Sequence, residues 1–539
     1  MPFDYEDARR HFTWRRPERF NFVADVMADW ATRTPDALAL LWTDADGTVV
    51  RLSFADMLAR ARQAAAVLAD AGVRRGDTVL VILSRELPWW ELMLACLQLG
   101  AVASPGTTQL SAKDIGYRLR ASGATAVISN RDCAGHVEQA LIDSDARPAL
   151  LHVDGPRHGW TDYTAARAAA TPLEAIADTA ADEDALCYFT SGTTGYPKMT
   201  VHGHGYPLGH EVTGRFWLDL RPGDLHWNLS DTGWAKAAWS SLFAPWLMGA
   251  AMFVHHAHGF DATATLDLLE AHPITTLCAP PTAYRMFVQQ DLSARRFPAL
   301  RHCVGAGEPL NPEVIAAWSK ATGLAIMDGY GQTETILLCG NFQGVPVRAG
   351  SMGKPSPGIE LAVIDEAGNP LPPDTEGDIA LRVAPARPMG LFKGYRGDPD
   401  RTASVFRGDW YLTGDRATVD ADGYFWFVGR ADDVILSSGY RIGPFEVESA
   451  LIEHPAVAES AVVASPDPTR GEVVKAFVIL APGFTGSDAL VKELQDHVKA
   501  VTAPYKYPRK IEFVTSLPKT VSGKIMRKDL RAKEWAGHQ

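Results

Sequence analysis

Residues 190–198 read TSGTTGYPK and follow the apolar run ALCYF at residues 185–189. The nine positions hold two glycines, four Ser or Thr hydroxyls and a lysine. Glycines let backbone N–H groups converge on an anion, while hydroxyls and a lysine add donors and charge, so this stretch is a candidate phosphate loop. It is not a Walker A loop, in which lysine directly follows the second glycine. Because Gly/Ser/Thr loops are more often plain surface turns, the surrounding sequence has to decide.

Strand-like and helix-like segments alternate around this loop. Residues 56–71 have the spacing of an amphipathic helix stopped by Gly72, and TVLVIL at 78–83 is a continuous apolar run, typical of a strand buried on both faces. A helix at 88–100 and a strand at 125–129 follow. This alternation predicts βαβ units and a parallel sheet. Similar apolar runs occur at 186–190, 251–256 and 275–280.

The pattern changes at about residue 350. Short β-like runs at 360–365, 377–383 and 423–429 are separated by turn signals, and a helix–strand–strand–helix–strand series covers the last 100 residues or so. We therefore predict an α/β protein: a large N-terminal domain of βα-layered subdomains with a β-rich subdomain, followed by a small α+β C-terminal domain.

Composition narrows the class of protein. A chain of 539 residues is too long for one hydrophobic core. The net charge of −12 argues against general binding to nucleic acid or anionic membranes. The six cysteines are scattered, the start MPFDYEDARRHF has no apolar targeting segment, and the most apolar stretch is 14 residues. These features predict a reduced compartment, no membrane insertion and a cytoplasmic location.

Five motifs give the loop its context. TSGTTGYPK, GYGQTET (329–335), YLTGD (411–415), GRADDVI (429–435) and LPKTVSGK (517–524) occur in this order. In type and order they resemble the acyl-adenylate-forming enzymes. Stretches such as SDTGW (230–234) and SSGYRIGPFEVE (437–448) resemble the medium-chain acyl-CoA synthetase branch, and the resemblance runs from about residue 20 to 530.

The resemblance implies an ATP site. It assigns Glu334 to Mg²⁺ and Thr333 to the α-phosphate and the acyl carboxylate. Lys524 would bridge oxygens of the carboxylate and the α-phosphate, because its positive charge offsets the repulsion between these two anions. Asp415 and Arg430 would hold the ribose and Arg441 the AMP phosphate. The remaining positions expected to bind ATP are Thr190, Ser191, Gly192, Thr193, Thr194, Gly195, Lys198, Gly307, Glu308, Pro309, Asp328, Gly329, Tyr330, Gly331 and Gln332.

The resemblance also implies two domains, 1–431 and 432–539, with a hinge at Asp432. Rotation of a mobile small domain would bring Lys524 in for adenylation and later admit the thiol of coenzyme A. The positions expected to contact coenzyme A are Gln109, Ser438, Gly439, Tyr440, Arg470, Tyr507 and Arg509.

Gly331 and Trp234 bear on the acyl group. Acetate-specific relatives carry tryptophan at the position of Gly331, so glycine is expected to open a deeper apolar pocket, with Trp234 as one wall. A medium-chain, a branched and an aryl acid remain open as substrates.

We therefore expect an ATP- and Mg²⁺-dependent acyl-CoA synthetase. An adenylation enzyme that loads a carrier protein and a P-loop NTPase are the alternatives, the second disfavoured by the missing Walker lysine. The resemblance is compatible with a homodimer and with a lysine acetyltransferase and deacetylase acting on Lys524, because acetylation removes the charge. Histidines in HGH (202–204) and HHAH (255–258) lack carboxylate or cysteine partners nearby and do not predict a metal site, although His202 could border the phosphate or acyl site.

Overall fold

The computed structural model describes residues 3–142, 144–190, 197–437, 440–467, 471–519 and 525–536, with the backbone alone at 440 and 441. In chain order the strands are β1 (Leu38–Asp44), β2 (Val49–Ser53), β3 (Thr78–Ile82), β4 (Val102–Gly106), β5 (Ala126–Ser129), β6 (Ala149–His152), β7 (Thr161–Asp162), β8 (Asp184–Thr190), β9 (Lys198–Gly203), β10 (Leu225–Asn228), β11 (Ala251–His256), β12 (Thr276–Ala279), β13 (His302–Ala306), β14 (Ile326–Gly331), β15 (Leu337–Gly340), β16 (Lys354–Pro355), β17 (Leu361–Ile364), β18 (Gly377–Arg382), β19 (Gly394–Tyr395), β20 (Phe406–Arg407), β21 (Trp410–Val419), β22 (Phe425–Arg430), β23 (Ile435–Ser437), β24 (Tyr440–Ile442), β25 (Val457–Asp467), β26 (Gly471–Leu480) and β27 (Lys510–Phe513).

The α-helices in chain order are α1 (Tyr5–His11), α2 (Ala28–Arg33), α3 (Phe54–Asp70), α4 (Pro88–Leu99), α5 (Ala112–Ser122), α6 (Arg131–Ile142), α7 (Tyr163–Ala169), α8 (Tyr206–Gly209), α9 (Ala235–Ala238), α10 (Ala244–Leu247), α11 (Ala262–Ala271), α12 (Pro281–Val288), α13 (Pro312–Thr322), α14 (Pro399–Ser404), α15 (Pro444–Ile452), α16 (Asp488–Val501) and α17 (Arg527–Trp535). Short π-helical turns cover Val23–Met27, Thr213–Trp217 and Trp239–Phe243, and a 3₁₀ turn covers Pro504–Lys506.

Two large sheets form the N-terminal part. The first is eight-stranded in the order β19-β9-β8-β4-β3-β5-β6-β7, and the second is nine-stranded in the order β16-β15-β14-β13-β12-β10-β11-β1-β2. The strands between β8 and β7 in the first sheet, and between β14 and β1 in the second, pair in parallel. The predicted βαβ organisation is therefore confirmed.

The local signals explain these elements. Every residue of β3 is buried, as its unbroken apolar run predicts. Helix α3 begins at a capping box in which Ser53 and Asp56 bond each other's backbone N–H groups. Helix α4 ends at Gly100, which takes a left-handed φ of 69° that favours glycine.

Two smaller sheets follow in the chain. The third has the order β17-β18-β21-β20, with β22 paired to β21, and corresponds to the predicted β-rich subdomain. The fourth has the order β24-β23-β26-β25, with β27 paired to β26. A hydrophobic core from α15, α16 and the fourth sheet packs around Val447, Leu451 and Leu494. This arrangement matches the α+β unit expected at the C-terminus.

The fold places the site at strand ends. Strand β8 of the first sheet ends at Thr190, and β13 and β14 of the second end at Ala306 and Gly331. Open α/β sheets bind ligands at the carboxyl ends of their strands, so these are the ends where a ligand is expected. None of the helices in the described ranges is long and apolar enough to cross a bilayer.

Candidate active site

The phosphate-loop candidate lies between two paired strands. Strand β8 runs into the loop and β9 leaves it, with Thr190 opposite Lys198 in an antiparallel ladder. Residues 191–196 lie outside the described part of the chain, so Ser191, Gly192, Thr193, Thr194 and Gly195 cannot be placed. The two described ends nevertheless fix where the loop starts and stops.

Lys198 meets the catalytic candidate Glu334. Its ammonium donates to the hydroxyl of Tyr395 at 3.0 Å and lies 3.6 Å from Glu334 Oε1. Tyr395 in turn donates to Glu334 Oε1 at 2.8 Å. Burial lowers the pKa of Lys198, and the Glu334 carboxylate opposes that shift. Burial, together with the adjacent carboxylate, raises the pKa of Tyr395, so its hydroxyl keeps its proton and remains a donor.

Tyr395 was not among the residues singled out from the sequence. It reaches Lys198 because β19 pairs with β9, with Tyr395 opposite Thr200. A buried tyrosine in the short segment GYRGD carries no motif of its own. Only the pairing of strands almost 200 residues apart reveals its position.

The ribose candidate Asp415 lies in a hydrogen-bonded cluster. Its Oδ2 accepts from the hydroxyl of Tyr330 at 2.5 Å and from Gln332 Nε2 at 2.7 Å. Gln332 also donates to the carbonyl of Thr413 and accepts from Tyr411. Strand β21 places Asp415 directly opposite Arg430 on β22. Three residues predicted for the nucleotide thus meet at one carboxylate, with Arg430 beside them.

The adenine candidates lie at the ends of β13 and β14. Burial raises the pKa of Asp328 well above its ordinary value, while its Oδ1 accepts from the backbone N–H of Gly329 at 2.8 Å. Gly307 adopts a φ of 108°, in the region that favours glycine. Glu308 is held by Arg285 at 2.9 Å, and Pro309 follows it in the chain.

The indole of Trp239 lies beside Gly331, the residue expected to open the acyl pocket. A Cβ at this position would lie 2.3 Å from the carbonyl oxygen of Ile336 and 2.7 Å from Cη2 of Trp239. A side chain at position 331 would therefore collide with the backbone and with this indole. Trp234, the predicted wall, is only partly buried and directly precedes helix α9. The sequence signal that could have found Trp239 is a second tryptophan five positions after Trp234.

The buried ammonium group of Lys236 lies next to Trp239. Lys236 Nζ lies 4.4 Å from the ring centroid of Trp217 and 5.6 Å from that of Trp239, and donates to Ser240 at 2.9 Å. Burial lowers its pKa. Trp217 in turn packs against Gly329, where a Cβ would lie 2.6 Å from the indole. Two indoles and an ammonium group therefore line the back of β14.

The C-terminal candidates are placed only in part. Asp432 lies 3.8 Å from Arg430, and its carbonyl accepts from Arg531 of α17. Arg509 donates to the Tyr507 hydroxyl at 2.7 Å, so these two candidates meet. Gln109 is exposed and follows β4 of the first sheet. Strand β24 carries the backbone of Tyr440 and Arg441. The other four, Ser438, Gly439, Arg470 and Lys524, lie outside the described residues.

Comparison with protein families decides the identity of this fold and site. Residues 27–396 match the family model of the AMP-binding enzymes, and residues 446–524 match that of the AMP-binding enzyme C-terminal domain. The chain belongs to the AMP-binding enzyme family. The resemblance stated from the five motifs is therefore confirmed.

This AMP-binding enzyme has acyl-CoA synthetases among its relatives. It is 51% identical over 542 residues to the mitochondrial acyl-coenzyme A synthetase ACSM3 of Homo sapiens, which covers 99% of this chain and 92% of the relative. It is also 51% identical over 531 residues to human mitochondrial ACSM4, covering 97% of this chain and 92% of that one. The medium-chain branch, and the class of AMP-forming acid–thiol ligase, are thereby confirmed.

Solved structures give the same fold. The anthranilate CoA ligase AuaEII in complex with anthranoyl-AMP matches with a TM-score of 0.90 at 31% identity, covering 99% of both chains. A benzoate CoA ligase from Burkholderia xenovorans LB400 matches with a TM-score of 0.85 at 29% identity, covering 95% of this chain and 100% of that one. The predicted fold class is confirmed.

The relatives correct the predicted location. ACSM3 and ACSM4 are named mitochondrial enzymes and match nearly the whole of this AMP-binding enzyme. They point to mitochondria, so the prediction of a cytoplasmic location is wrong. The prediction rested on the scattered cysteines, on the residue types at the start of the chain and on the short apolar stretches, and these features do not separate the cytosol from mitochondria.

Proposed function

We propose that the protein joins a carboxylic acid to coenzyme A in two steps. The acid first displaces pyrophosphate from ATP to give an acyl-adenylate, and the thiol of coenzyme A then displaces AMP. The observation that carries the proposal is the meeting of Lys198, Glu334 and Tyr395 beside the loop that begins at Thr190. A cation and a carboxylate at the end of a glycine-rich loop are suited to binding polyphosphate together with its metal ion.

Magnesium is the proposed metal, with Glu334 as its ligand. The residue fits, because a carboxylate oxygen is a ligand that Mg²⁺ prefers and the Glu334 carboxylate lies 3.6 Å from Lys198, the last residue of the candidate phosphate loop. When bound, the metal neutralises charge on the phosphate oxygens. Tyr395 and Lys198 hold the carboxylate in place through the contacts above, and Lys198 also supplies charge toward the loop.

For the nucleotide, we propose that Asp415 accepts hydrogen bonds from the ribose hydroxyls. A carboxylate is well suited to two hydroxyl donors, and Tyr330 and Gln332 fix its orientation from one side. Arg430 lies opposite Asp415 on β22, Asp328 lies in β14, and residues 307–309 follow β13; we propose that these residues also border the nucleotide. Arg441 is proposed to contact the AMP phosphate.

For the second step, we propose that residues 432–539 rotate about Asp432 relative to residues 1–431. Lys524 would serve adenylation and then withdraw. The pair of Tyr507 and Arg509 presents aromatic and cationic groups of the kind that bind a nucleotide, and it supports a role toward coenzyme A together with Gln109, Ser438, Gly439, Tyr440 and Arg470. A lysine acetyltransferase would silence adenylation by removing the charge of Lys524.

We propose a medium-chain, branched or aryl acid as the substrate. Because the indole of Trp239 lies beside Gly331, the acyl group would lie along this indole and not in an open pocket. Flat apolar surfaces suit aryl and branched groups as well as alkyl chains. The matched anthranilate and benzoate ligases act on aryl acids, which supports including that class.

A panel of carboxylic acids tests the proposal. The enzyme is given ATP and Mg²⁺ with straight-chain, branched or aryl acids, and AMP is measured with and without coenzyme A. We expect acid-dependent pyrophosphate release without coenzyme A, and multiple turnovers to AMP and thioester only with it. Release of ADP and phosphate without any acid would contradict the proposal, and thioester formation on a holo-carrier protein but not on coenzyme A would redirect it.

A further inference from the structure

Glu334 lies on a turn whose backbone carbonyl groups accept hydrogen bonds from side chains of another segment. Residues 332–336 join β14 to β15 and are not helical. Within the turn, Thr335 Oγ1 accepts from the N–H of Gln332 at 2.9 Å. The carbonyl groups of Thr333, Glu334 and Thr335 follow one another along this turn, which is partly or fully buried, and a buried carbonyl group is costly when it has no donor.

Each of these carbonyls has a donor from another part of the chain. His202 Nε2 lies 2.7 Å from the carbonyl oxygen of Thr333. The backbone N–H of Phe392 donates to that of Glu334 at 2.7 Å. The hydroxyl of Tyr206 donates to that of Thr335 at 3.3 Å. Two of the three donors are therefore side chains that lie on either side of Glu334.

His202 and Tyr206 form one rigid unit. Their ring centroids are 3.8 Å apart, and both side chains are fully or almost fully buried, at 0% and 3% exposure. Because a carbonyl oxygen can only accept, His202 carries its hydrogen on Nε2. Its Nδ1 has no hydrogen-bond partner in the described residues. Among the described residues, the imidazole therefore makes a single hydrogen bond, the one to the turn.

The pair also contacts Trp239, which we propose borders the acyl group. Trp239 Nε1 donates to the hydroxyl of Tyr206 at 2.6 Å, while its ring edge lies against Gly331. A tyrosine hydroxyl has one donor hydrogen, so accepting from Trp239 leaves that hydrogen for Thr335. A continuous chain of hydrogen bonds thus runs from Trp239 through Tyr206 to the turn that carries Glu334.

We propose that His202 and Tyr206, which we call the carbonyl clamp, are positioning residues that hold Glu334 in the geometry required for adenylation. This rests on the proposed function of Glu334. A site that must hold a metal and phosphates within about 0.5 Å depends on the residues that fix its backbone, and the clamp binds the carbonyl groups of Thr333 and Thr335, the residues on either side of Glu334. The hydrogen bonds of the clamp go to the carbonyl groups of Thr333 and Thr335 and to Trp239, so its role is to position the turn.

The test uses acid-dependent ATP–pyrophosphate exchange in the full chain. Tyr206→Phe keeps the ring stack and removes the donor; His202→Leu removes the imidazole donor, and His202→Gln restores an N–H at similar reach. We expect kcat to fall about fivefold in Tyr206→Phe and about tenfold in His202→Leu, the loss of one buried hydrogen bond each, with the acid KM within about twofold. The Mg²⁺ concentration for half-maximal rate should rise severalfold, and His202→Gln should recover most of the activity.

Tyr188→Phe is the matched control. Tyr188 is a buried neighbour of His202, at 6.5 Å between ring centroids, and its hydroxyl has no hydrogen-bond partner in the described residues. Losing this hydroxyl should leave kcat and the Mg²⁺ dependence unchanged. In addition, Trp239→Phe and Tyr206→Phe should be less than additive in kcat, because they interrupt the same chain.

The outcomes separate the two levels of inference. Folded Tyr206→Phe protein with the wild-type kcat and Mg²⁺ dependence would overturn the clamp, and so would a lower melting temperature with unchanged kcat, since that shows a purely structural role. If His202→Leu fails to fold, Tyr206→Phe decides alone. Absence of exchange in the wild-type enzyme with every acid would overturn the proposed function, and the clamp with it.

Discussion

Trp239→Ala should extend the range of acids that the enzyme accepts. Trp239 is 4% exposed, and its Cη2 lies 2.7 Å from the position of a Cβ on Gly331. Gly331 itself cannot be enlarged as a probe, because a Cβ there would lie 2.3 Å from the Ile336 carbonyl oxygen. Removing the indole is therefore the way to vary the depth of this region without moving the backbone of β14.

The magnitude follows from burial of methylene groups. Each methylene that enters the vacated space contributes about 0.8 kcal/mol, or a factor of about four in kcat/KM. Three additional methylenes would give about 2.4 kcal/mol, or roughly 60-fold, for the longer acid relative to the shorter one. Short acids should lose activity, because they leave the new space unfilled. The substitution should lower the free energy of unfolding by about 3–5 kcal/mol.

The assay measures kcat/KM for straight-chain acids of increasing length, with AMP release as the signal and circular dichroism as the check on folding. Trp239→Phe is the control, because it keeps an aromatic ring while removing the donor to Tyr206. It should lower the rate for all acids alike and leave the preferred length within one carbon. A folded Trp239→Ala enzyme with the wild-type length profile would refute the reasoning and place the acyl group elsewhere.

Four further predictions concern the half-reactions, the titration of buried groups and the thiols. Lys524→Ala should abolish acid-dependent pyrophosphate exchange yet spare attack of coenzyme A on supplied acyl-adenylate; equal loss of both would contradict its role. Asp432→Pro should restrict the hinge and slow thioester formation selectively, so an unchanged overall rate would argue against rotation. Burial lowers the pKa of His204 to about 4 and that of His226 to about 3. Since the unfolded chain takes up these protons below pH ~6.5 and the folded chain does not, the free energy of unfolding should fall between pH 6.5 and 4 by up to about 1.4 kcal/mol per unit for each histidine, measured by urea titration. His226→Asn should flatten this slope. All six cysteines are buried, so a thiol reagent should label fewer than one per native chain and six after denaturation; rapid labelling of native protein would contradict the burial.

The sequence alone predicted the class of fold because its signals are local. An unbroken apolar run makes residues 78–82 a strand buried on both faces, and the helical spacing of residues 56–71, stopped by Gly72, marks the helix that the structure has at Phe54–Asp70. The family was also readable, because five motifs keep their order wherever the chain folds them. Glu334 and Lys198 were recognisable as chemical groups in these motifs before their distance was known.

The tertiary structure decided which groups meet. Tyr395 joins Lys198 and Glu334 only because β19 pairs with β9 in one register, and a shift by one residue would turn the tyrosine to the opposite face of the sheet. Trp239 lies over Gly331, and His202 and Tyr206 hold the turn around Glu334, through contacts between segments about 90 to 130 residues apart. No local period or spacing encodes such contacts, since they depend on strand register and on the packing of two sheets. The sequence therefore determined which chemistry the chain carries, and the packing determined the geometry in which that chemistry is held.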